Sequence, residues 1–124
     1  MNAAFSPLSL LLVALGGATG SVLRYAISHA GVMLFGAGFP WGTLAVNIIG
    51  SALIGVLGAL GIAGEARLLL VTGLLGGFTT FSAFSLETGL LWERAPWVAV
   101  LYVVVSVLGG LAAFAVCYLG VRRG

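Results

Sequence analysis

Four long apolar stretches, separated by short segments that carry the charges, constrain this chain more than any other feature. They cover approximately residues 8–29, 42–62, 67–92 and 96–121. Each can supply the roughly 20 residues that a helix needs to cross a hydrocarbon core. With 61% of its residues hydrophobic and 6% charged, the chain lacks the charge that covers the surface of a soluble domain. A backbone in lipid must satisfy its own hydrogen bonds, so the sequence predicts an all-α membrane protein with a single domain, residues 1–124, of four transmembrane helices.

The ends of these stretches have the residues expected at a membrane surface. Trp41, Trp92 and Trp97 lie at predicted helix ends, where interfacial aromatic side chains are common. Pro40 and Pro96 stand at predicted helix starts, where the missing N–H costs little. These positions support a multi-pass protein in contact with membrane lipid.

The few polar and charged groups exclude several classes of function. A net charge of +2 without a basic stripe gives no support for a nucleic-acid partner. The chain has one histidine, His29, and one cysteine, Cys117, which rules out a transition-metal site built from a His/Cys cluster. No phosphate-binding loop and no catalytic constellation is present. We therefore do not expect an enzyme.

The arginines give almost no preference for one orientation in the membrane. Four helices put both termini and the second turn on one side, and the other two turns on the opposite side. The side with the termini carries Arg67, Arg122 and Arg123, and the opposite side carries Arg94 and Arg24. This near balance favours insertion in both orientations, although orientation by an unseen determinant stays open. Four short helices also leave no room for an aqueous route, which favours a homo-oligomer.

The third stretch contains a sequence that is poorly suited to a continuous helix. Gly76 and Gly77 are followed by Thr79 and Thr80, and each glycine costs about 1 kcal/mol relative to alanine in a helix. A break near residues 76–80 would free carbonyl oxygens at the bilayer midplane, where they need protein, water or a cation as partner. A packing seam rich in hydroxyl groups is the alternative interpretation.

Polar groups recur at helical spacing around this segment. Phe81, Phe84, Ser85 and Thr88 fall within an arc of about 100° on one helix. Phenyl edges are electropositive and hydroxyl groups donate hydrogen bonds, so this stripe suits an anion. Phenylalanines that face lipid are the ordinary alternative.

Two further stripes lie on the second and fourth helices. They consist of Thr43, Asn47 and Ser51, and of Tyr102 and Ser106. Hydrogen bonding between helices explains such stripes equally well. Arg24 and Glu87 are the charged residues expected inside the membrane, where each must face a wet cavity, find a partner or reach the interface.

Three motifs together resemble the Fluc/CrcB family of fluoride channels. They are GGFTTFSAFS (76–85), PWGTLAVN (40–47) and GSVLRY (20–25), and the similarity extends over essentially the whole chain. The resemblance implies an antiparallel, dual-topology homodimer with two fluoride pathways and a structural sodium ion at its centre. It also implies passive export of cytoplasmic fluoride across the plasma or inner membrane.

The resemblance further implies roles for particular residues. The backbone carbonyls of Gly76 and Thr79 from both subunits would hold Na⁺, and Arg24 would make a vestibule positive. The implied fluoride pathway comprises Asn47, Phe81, Phe84, Tyr102 and Ser106. To these the helical stripe adds Ser85 and Thr88 as predicted pathway residues. Two positions depart from the family pattern: Ala83 and Gly110 stand where hydroxyl residues are often found.

Two other functions fit a small four-helix membrane protein. A proton-coupled exporter needs a titratable carboxylate at its substrate site, and Glu87 is the one candidate in the apolar stretches. A membrane subunit that anchors partners without transporting anything needs no such group.

Overall fold

The computed structural model describes residues 5–124 and contains four helical stretches long and apolar enough to cross a membrane. The elements are α1 (Pro7–Phe35), α2 (Trp41–Leu60), α3 (64–78), α4 (Ser82–Arg94) and α5 (Pro96–Arg123). The third spanning stretch, Gly64–Arg94, consists of α3 and α4. The predicted all-α architecture with four spanning helices and an interrupted third helix is therefore confirmed.

Local sequence explains where α1 begins and ends. Ser6 and Ser9 form a reciprocal cap, in which the Ser9 N–H donates to Ser6 Oγ (3.2 Å) and the Ser6 N–H donates to Ser9 Oγ (2.8 Å). The helix continues to Phe35, past residue 29 where the sequence placed its end. It stops at Gly36, whose φ of 80° suits glycine and whose N–H donates to the Val32 carbonyl (2.8 Å).

The third span changes geometry twice along its length. Residues Leu68–Leu75 form wider π-type turns, and Gly76–Phe78 return to α geometry. The chain then leaves the helix at Thr79, which is extended with φ −87° and ψ 159°, and re-enters it at Ser82. The interruption thus lies at residues 79–81, immediately after the Gly-Gly pair that predicted it.

Glycines let the helices approach each other closely enough for backbone contact. A Cβ on Gly16 of α1 would clash with the Leu69 carbonyl and lie 2.7 Å from the Leu74 N. Between α2 and α5, a Cβ on Gly55 would lie 2.6 Å from the Phe114 carbonyl oxygen. These contacts pair α1 with α3 and α2 with α5, as small residues do in membrane bundles.

Two small buried clusters lie inside the bundle. One contains Leu44, Leu91, Ala99 and Tyr102, and the other contains Val46, Leu75 and Phe78. Many other large apolar side chains are exposed along all four spans. Such a surface suits lipid rather than water.

Candidate functional site

The interruption in the third span is held in place by Asn47 of α2. Its Oδ1 accepts a hydrogen bond from the Thr80 N–H (2.8 Å), and its Nδ2 donates to the Thr80 carbonyl (3.0 Å). A carboxamide is suited to this role because it offers an acceptor and a donor side by side. The second N–H of Nδ2 remains available for another acceptor. Asn47, predicted to face an anion, therefore also fixes the backbone at the break.

Arg24 of α1 reaches the same region from the other side. Its Nε donates to the Gly77 carbonyl at 3.0 Å, and its side chain is half-buried. A carbonyl oxygen released near a helix break is a good partner for a guanidinium inside a membrane, because neither group finds water there. The positive charge predicted for a vestibule thus lies next to the break.

Three carbonyl oxygens at the break, those of Gly76, Phe78 and Thr79, have no partner among the described residues. In a continuous helix the Thr80 N–H would bond to the Gly76 carbonyl, but it is committed to Asn47. Among residues 5–124, neither the Gly76 nor the Thr79 carbonyl accepts a hydrogen bond. Thr79 is bonded only through its donors: its N–H (3.0 Å) and its Oγ1 (2.9 Å) both donate to the Leu75 carbonyl.

A cavity of about 350 Å³ opens beside these carbonyls on the surface of the single chain. Residues from α2, α3 and the break line it, among them Gly50, Ser51, Gly76, Thr79 and Phe81. The side chain of Phe81 is 78% exposed, so its ring projects from the bundle at the edge of the cavity. The cavity is incomplete without something that covers it.

The two phenylalanines of the stripe lie next to each other but in different surroundings. The ring centroids of Phe81 and Phe84 are 5.6 Å apart at an angle of 45°. Phe84 also packs on Tyr102, with centroids 5.1 Å apart, and Tyr102 meets the ring of Phe39 edge-on. Phe84 therefore packs against two aromatic rings, whereas Phe81 contacts one ring and is largely exposed.

The two hydroxyl groups of the same stripe are occupied within their own helix. Ser85 Oγ donates to the Phe81 carbonyl (3.0 Å), and Thr88 Oγ1 donates to the Phe84 carbonyl (2.7 Å). A hydroxyl group has one hydrogen to donate. An anion would therefore receive a hydrogen bond from Ser85 or Thr88 only after this internal bond is broken.

Glu87 is the centre of a polar cluster that joins α2, α4 and α5. Its carboxylate accepts hydrogen bonds from Thr43 Oγ1 (3.0 Å) and from the Tyr102 hydroxyl group (3.2 Å). Tyr102 is completely buried and Thr43 nearly so. The hydroxyl group of Tyr102, predicted to lie on a fluoride pathway, is thus already bonded to a carboxylate.

Ser106 differs from these residues because its hydroxyl group is buried and has no hydrogen-bond partner in the described part of the chain. It lies in a groove between α2 and α5 that is also lined by Ser51 and Gly110. An unpaired buried hydroxyl group costs about 1–3 kcal/mol.

Sequence reasoning did not find the partners of these polar groups. The stripes identified Thr43, Asn47 and Tyr102, and the role of Glu87 was left open. What the sequence could not supply was the rotation of each helix about its axis. In a helix that is apolar on all sides, hydrophobic periodicity does not reveal which face meets a neighbour.

Comparison with known proteins identifies the family. A family model described as "CrcB-like protein, Camphor Resistance (CrcB)" matches residues 11–121. The chain belongs to the CrcB family. Proteins named "Fluoride-specific ion channel FluC" from Rhizobium etli, Sphingopyxis alaskensis and a Shewanella species are 53%, 52% and 50% identical to it. The alignments cover 83%, 85% and 90% of this chain and 87%, 88% and 92% of those relatives.

The resemblance drawn from the three motifs is therefore confirmed. The CrcB/FluC family is a family of fluoride ion channels and not of enzymes. The family match includes residues of all four spanning stretches, from residue 11 in α1 to residue 121 in α5.

Proposed function

We propose that this chain forms a fluoride-selective passive channel that exports cytoplasmic fluoride across the plasma or inner membrane. The observation that carries the proposal is about 50% identity, over most of both chains, to proteins named as fluoride-specific ion channels. The proposal is supported by the broken helix, where the polar side chains of Asn47 and Arg24 and the ring of Phe81 lie together.

The functional unit in this proposal is an antiparallel, dual-topology homodimer. The break cavity and the Ser106 groove are both open on the single chain, and Phe81 projects beside the first. A second copy of the chain would close both and offer each a matching set of polar groups. The balanced arginines suit a pair in which the two copies face opposite ways.

The proposed dimer holds a structural sodium ion at its centre. The unpaired carbonyl oxygens of Gly76 and Thr79 fit such an ion, since two from each chain make a set of four neutral oxygen ligands for a hard cation. When bound, the ion would supply the positive charge that unpaired carbonyls in a membrane need. Replacing sodium with a large organic cation should therefore lower fluoride flux and weaken the dimer.

Fluoride is small and strongly hydrated, so a narrow pore must replace its water with several weak donors at once. The proposed pathway uses neutral groups and ring edges, namely Asn47, Phe81, Phe84, Ser85, Thr88, Tyr102 and Ser106. Neutral ligands allow the ion to bind and also to leave, as conduction requires. Arg24 would raise the anion concentration in the vestibule.

The Glu87 cluster supports one competing function. A carboxylate that is hydrogen-bonded to Thr43 and Tyr102 inside the bundle is the type of group that a proton-coupled exporter uses. Such a carrier moves its substrate in exchange for protons, whereas a passive channel needs only a fluoride gradient. A membrane subunit without transport activity would move neither.

The decisive experiment uses the purified full-length protein in liposomes loaded with potassium fluoride and a sodium salt, in the absence of a pH gradient. Valinomycin provides the compensating potassium current, and a fluoride electrode records efflux. We expect rapid fluoride efflux and no chloride efflux from matched chloride-loaded vesicles. A strict requirement for a proton gradient would indicate the exporter, and the absence of flux under every condition would refute a transport function.

A further inference from the structure

The hydroxyl groups of this protein fall into two classes according to whether their own helix already binds them. Several donate to the carbonyl four residues earlier, at 2.7–3.0 Å: Thr19, Thr79, Ser85 and Thr88. Ser51 and Ser106 do not, and neither has a hydrogen-bond partner among residues 5–124, which is also true of Ser21, Ser28 and Thr72. An anion requires a donor whose hydrogen is free, so the second class is better suited to bind one.

Ser51 and Ser106 lie in the same groove, on opposite helices. Ser51 belongs to α2 and Ser106 to α5, and Gly110 lies one turn beyond Ser106. Gly110 is buried and contributes no side chain to the groove. The Oγ atom of Ser51 lies 3.3 Å from the position that a Cβ on Gly110 would occupy. The hydroxyl group next to Gly110 is therefore supplied by α2.

Ser51 also borders the cavity at the broken helix. The residues that line that cavity include Ser51 together with Thr79, Thr80 and Phe81. Among the described residues, Ser51 and Ile54 line both the cavity at the break and the Ser106 groove. Of these two, Ser51 is the polar residue. A dehydrated ion that moves from the Ser106 groove to the break would pass this hydroxyl group.

We propose that Ser51 is a fluoride-binding residue of the pathway, which bridges the Ser106 groove and the cavity at the break and supplies the hydroxyl donor that Gly110 does not. This inference rests on the proposed function, since it names a further ligand for the same ion. Its physical basis is that an anion stripped of water loses stabilisation at every point where a donor is missing.

The test moves the hydroxyl group from one helix to the other. Ser51→Ala removes the donor and keeps the Cβ, while Gly110→Ser in the Ser51→Ala background returns a hydroxyl group from α5. The second change is sterically possible because a Cβ on Gly110 would lie 3.9 Å from the Cβ of residue 51, an ordinary contact distance. Gly110→Ala in the same background is the matched control, since it adds the same Cβ without oxygen. Thr19→Val controls for loss of an exposed hydroxyl group that is bonded to its own helix.

Fluoride efflux from liposomes and the oligomeric state in detergent are measured for each variant. We expect Ser51→Ala to lower flux about tenfold with the wild-type oligomeric state, since a hydrogen bond to a charged ligand is lost. The flux of the Ser51→Ala/Gly110→Ser variant should be at least about threefold higher than that of Ser51→Ala. The flux of the Ser51→Ala/Gly110→Ala control should stay at the level of Ser51→Ala.

Several results would overturn the inference. They are wild-type flux in Ser51→Ala, loss of the oligomer in that variant, equal recovery with serine and alanine at position 110, and no recovery with either. The first would show that the hydroxyl group is dispensable, and the other three would assign Ser51 to packing. Failure of the proposed function is recognised separately, because the wild-type protein itself would then release no fluoride.

Discussion

At the scale of single residues, Asn47 combines two tasks that are usually separate. It pairs with both backbone groups of Thr80, which would otherwise be unsatisfied at membrane depth, and it keeps one N–H for another acceptor. An aspartate at this position would retain the acceptor but lose the donor and add a negative charge. A leucine would lose both hydrogen bonds.

Replacement of Asn47 should therefore damage both stability and conduction. We expect Asn47→Leu to lower the thermal midpoint of the purified protein, because each unpaired backbone group at Thr80 costs about 1–3 kcal/mol. Thr72→Val is the matched control, since Thr72 is exposed and its hydroxyl group has no partner among the described residues. Equal midpoints for the two variants, measured by fluorescence-monitored unfolding, would show that the Asn47–Thr80 pair is not needed to hold the break.

Phe81 and Phe84 are expected to act through their ring edges. Substitution of either by isoleucine keeps an apolar side chain but removes the aromatic quadrupole. Loss of a contact of about 1.4 kcal/mol lowers a rate roughly tenfold, so fluoride efflux should fall by at least that factor while assembly persists. Because Phe81 is mostly exposed, its variant should lose less stability than Phe84→Ile, whose ring packs on Tyr102.

The control for this pair must be an aromatic residue away from the pathway. Phe35 at the end of α1 is exposed and contacts only Trp41 among the aromatic rings of the described residues. Phe114 is unsuitable, since it lines the groove that contains Ser106. Wild-type efflux from assembled Phe81→Ile and Phe84→Ile proteins, alongside an unchanged Phe35→Ile, would refute the ring-edge account.

At the scale of helices, the sequence predicted the positions of the elements better than their contacts. Gly76, Gly77 and the two threonines indicated an interruption, because local conformational preference is a property of neighbouring residues. The bonds that stabilise it come from Asn47 and Arg24, which are 33 and 53 residues away in the chain from their partners. Such pairs depend on the packing of whole helices, which local preference does not determine.

The same limit applies to the wide turns of α3. Nothing in Leu68–Leu75, a run of mostly large apolar residues, distinguishes π from α geometry locally. The neighbouring helix contacts this segment, since Gly16 admits the backbone of α3 so closely that no side chain fits between them. Local preference does not predict such a contact, because it depends on how two whole helices pack.

Close contact between α1 and α3 should make Gly16 intolerant of any side chain. We expect Gly16→Ala to lower the thermal midpoint by an amount equivalent to about 1–3 kcal/mol, since its Cβ would overlap the backbone of α3. Gly120→Ala in α5 is the matched control, because no atom lies within 4 Å of the added Cβ. If the two alanine variants unfold at the same temperature as the wild type, the backbone contact is looser than described.

At the scale of the whole molecule, the chain has too little interior to enclose an ion by itself. Its two buried clusters are small, and its candidate sites open onto the outside of the bundle. The sequence indicated this incompleteness, since four short helices leave no room for an aqueous route, while the composition predicted a surface that faces lipid. It did not indicate which surface a second copy would meet.

Dual insertion should be visible in the accessibility of the chain ends. A tag at the C-terminus, next to Arg123, should be modified from both faces of the membrane in intact cells and inverted vesicles, because the arginines give no net preference. Adding three lysines to the turn between α4 and α5 should shift most copies to one orientation and lower fluoride efflux from cells. A tag that is reached from a single face in the unmodified protein would contradict the antiparallel dimer.

The wide turns of α3 also determine where the chain can lose a single residue without disturbing its packing. Each hydrogen bond in Leu68–Leu75 spans one residue more than an α-helical bond, so this segment holds a surplus of chain. If one residue is deleted there, the turns can tighten to α geometry. The side chains of α4 then keep their orientation. The same deletion in the regular helix α2 would rotate everything beyond it by about 100°. Single-residue gaps between this chain and its relatives are therefore expected in α3 and not in α2.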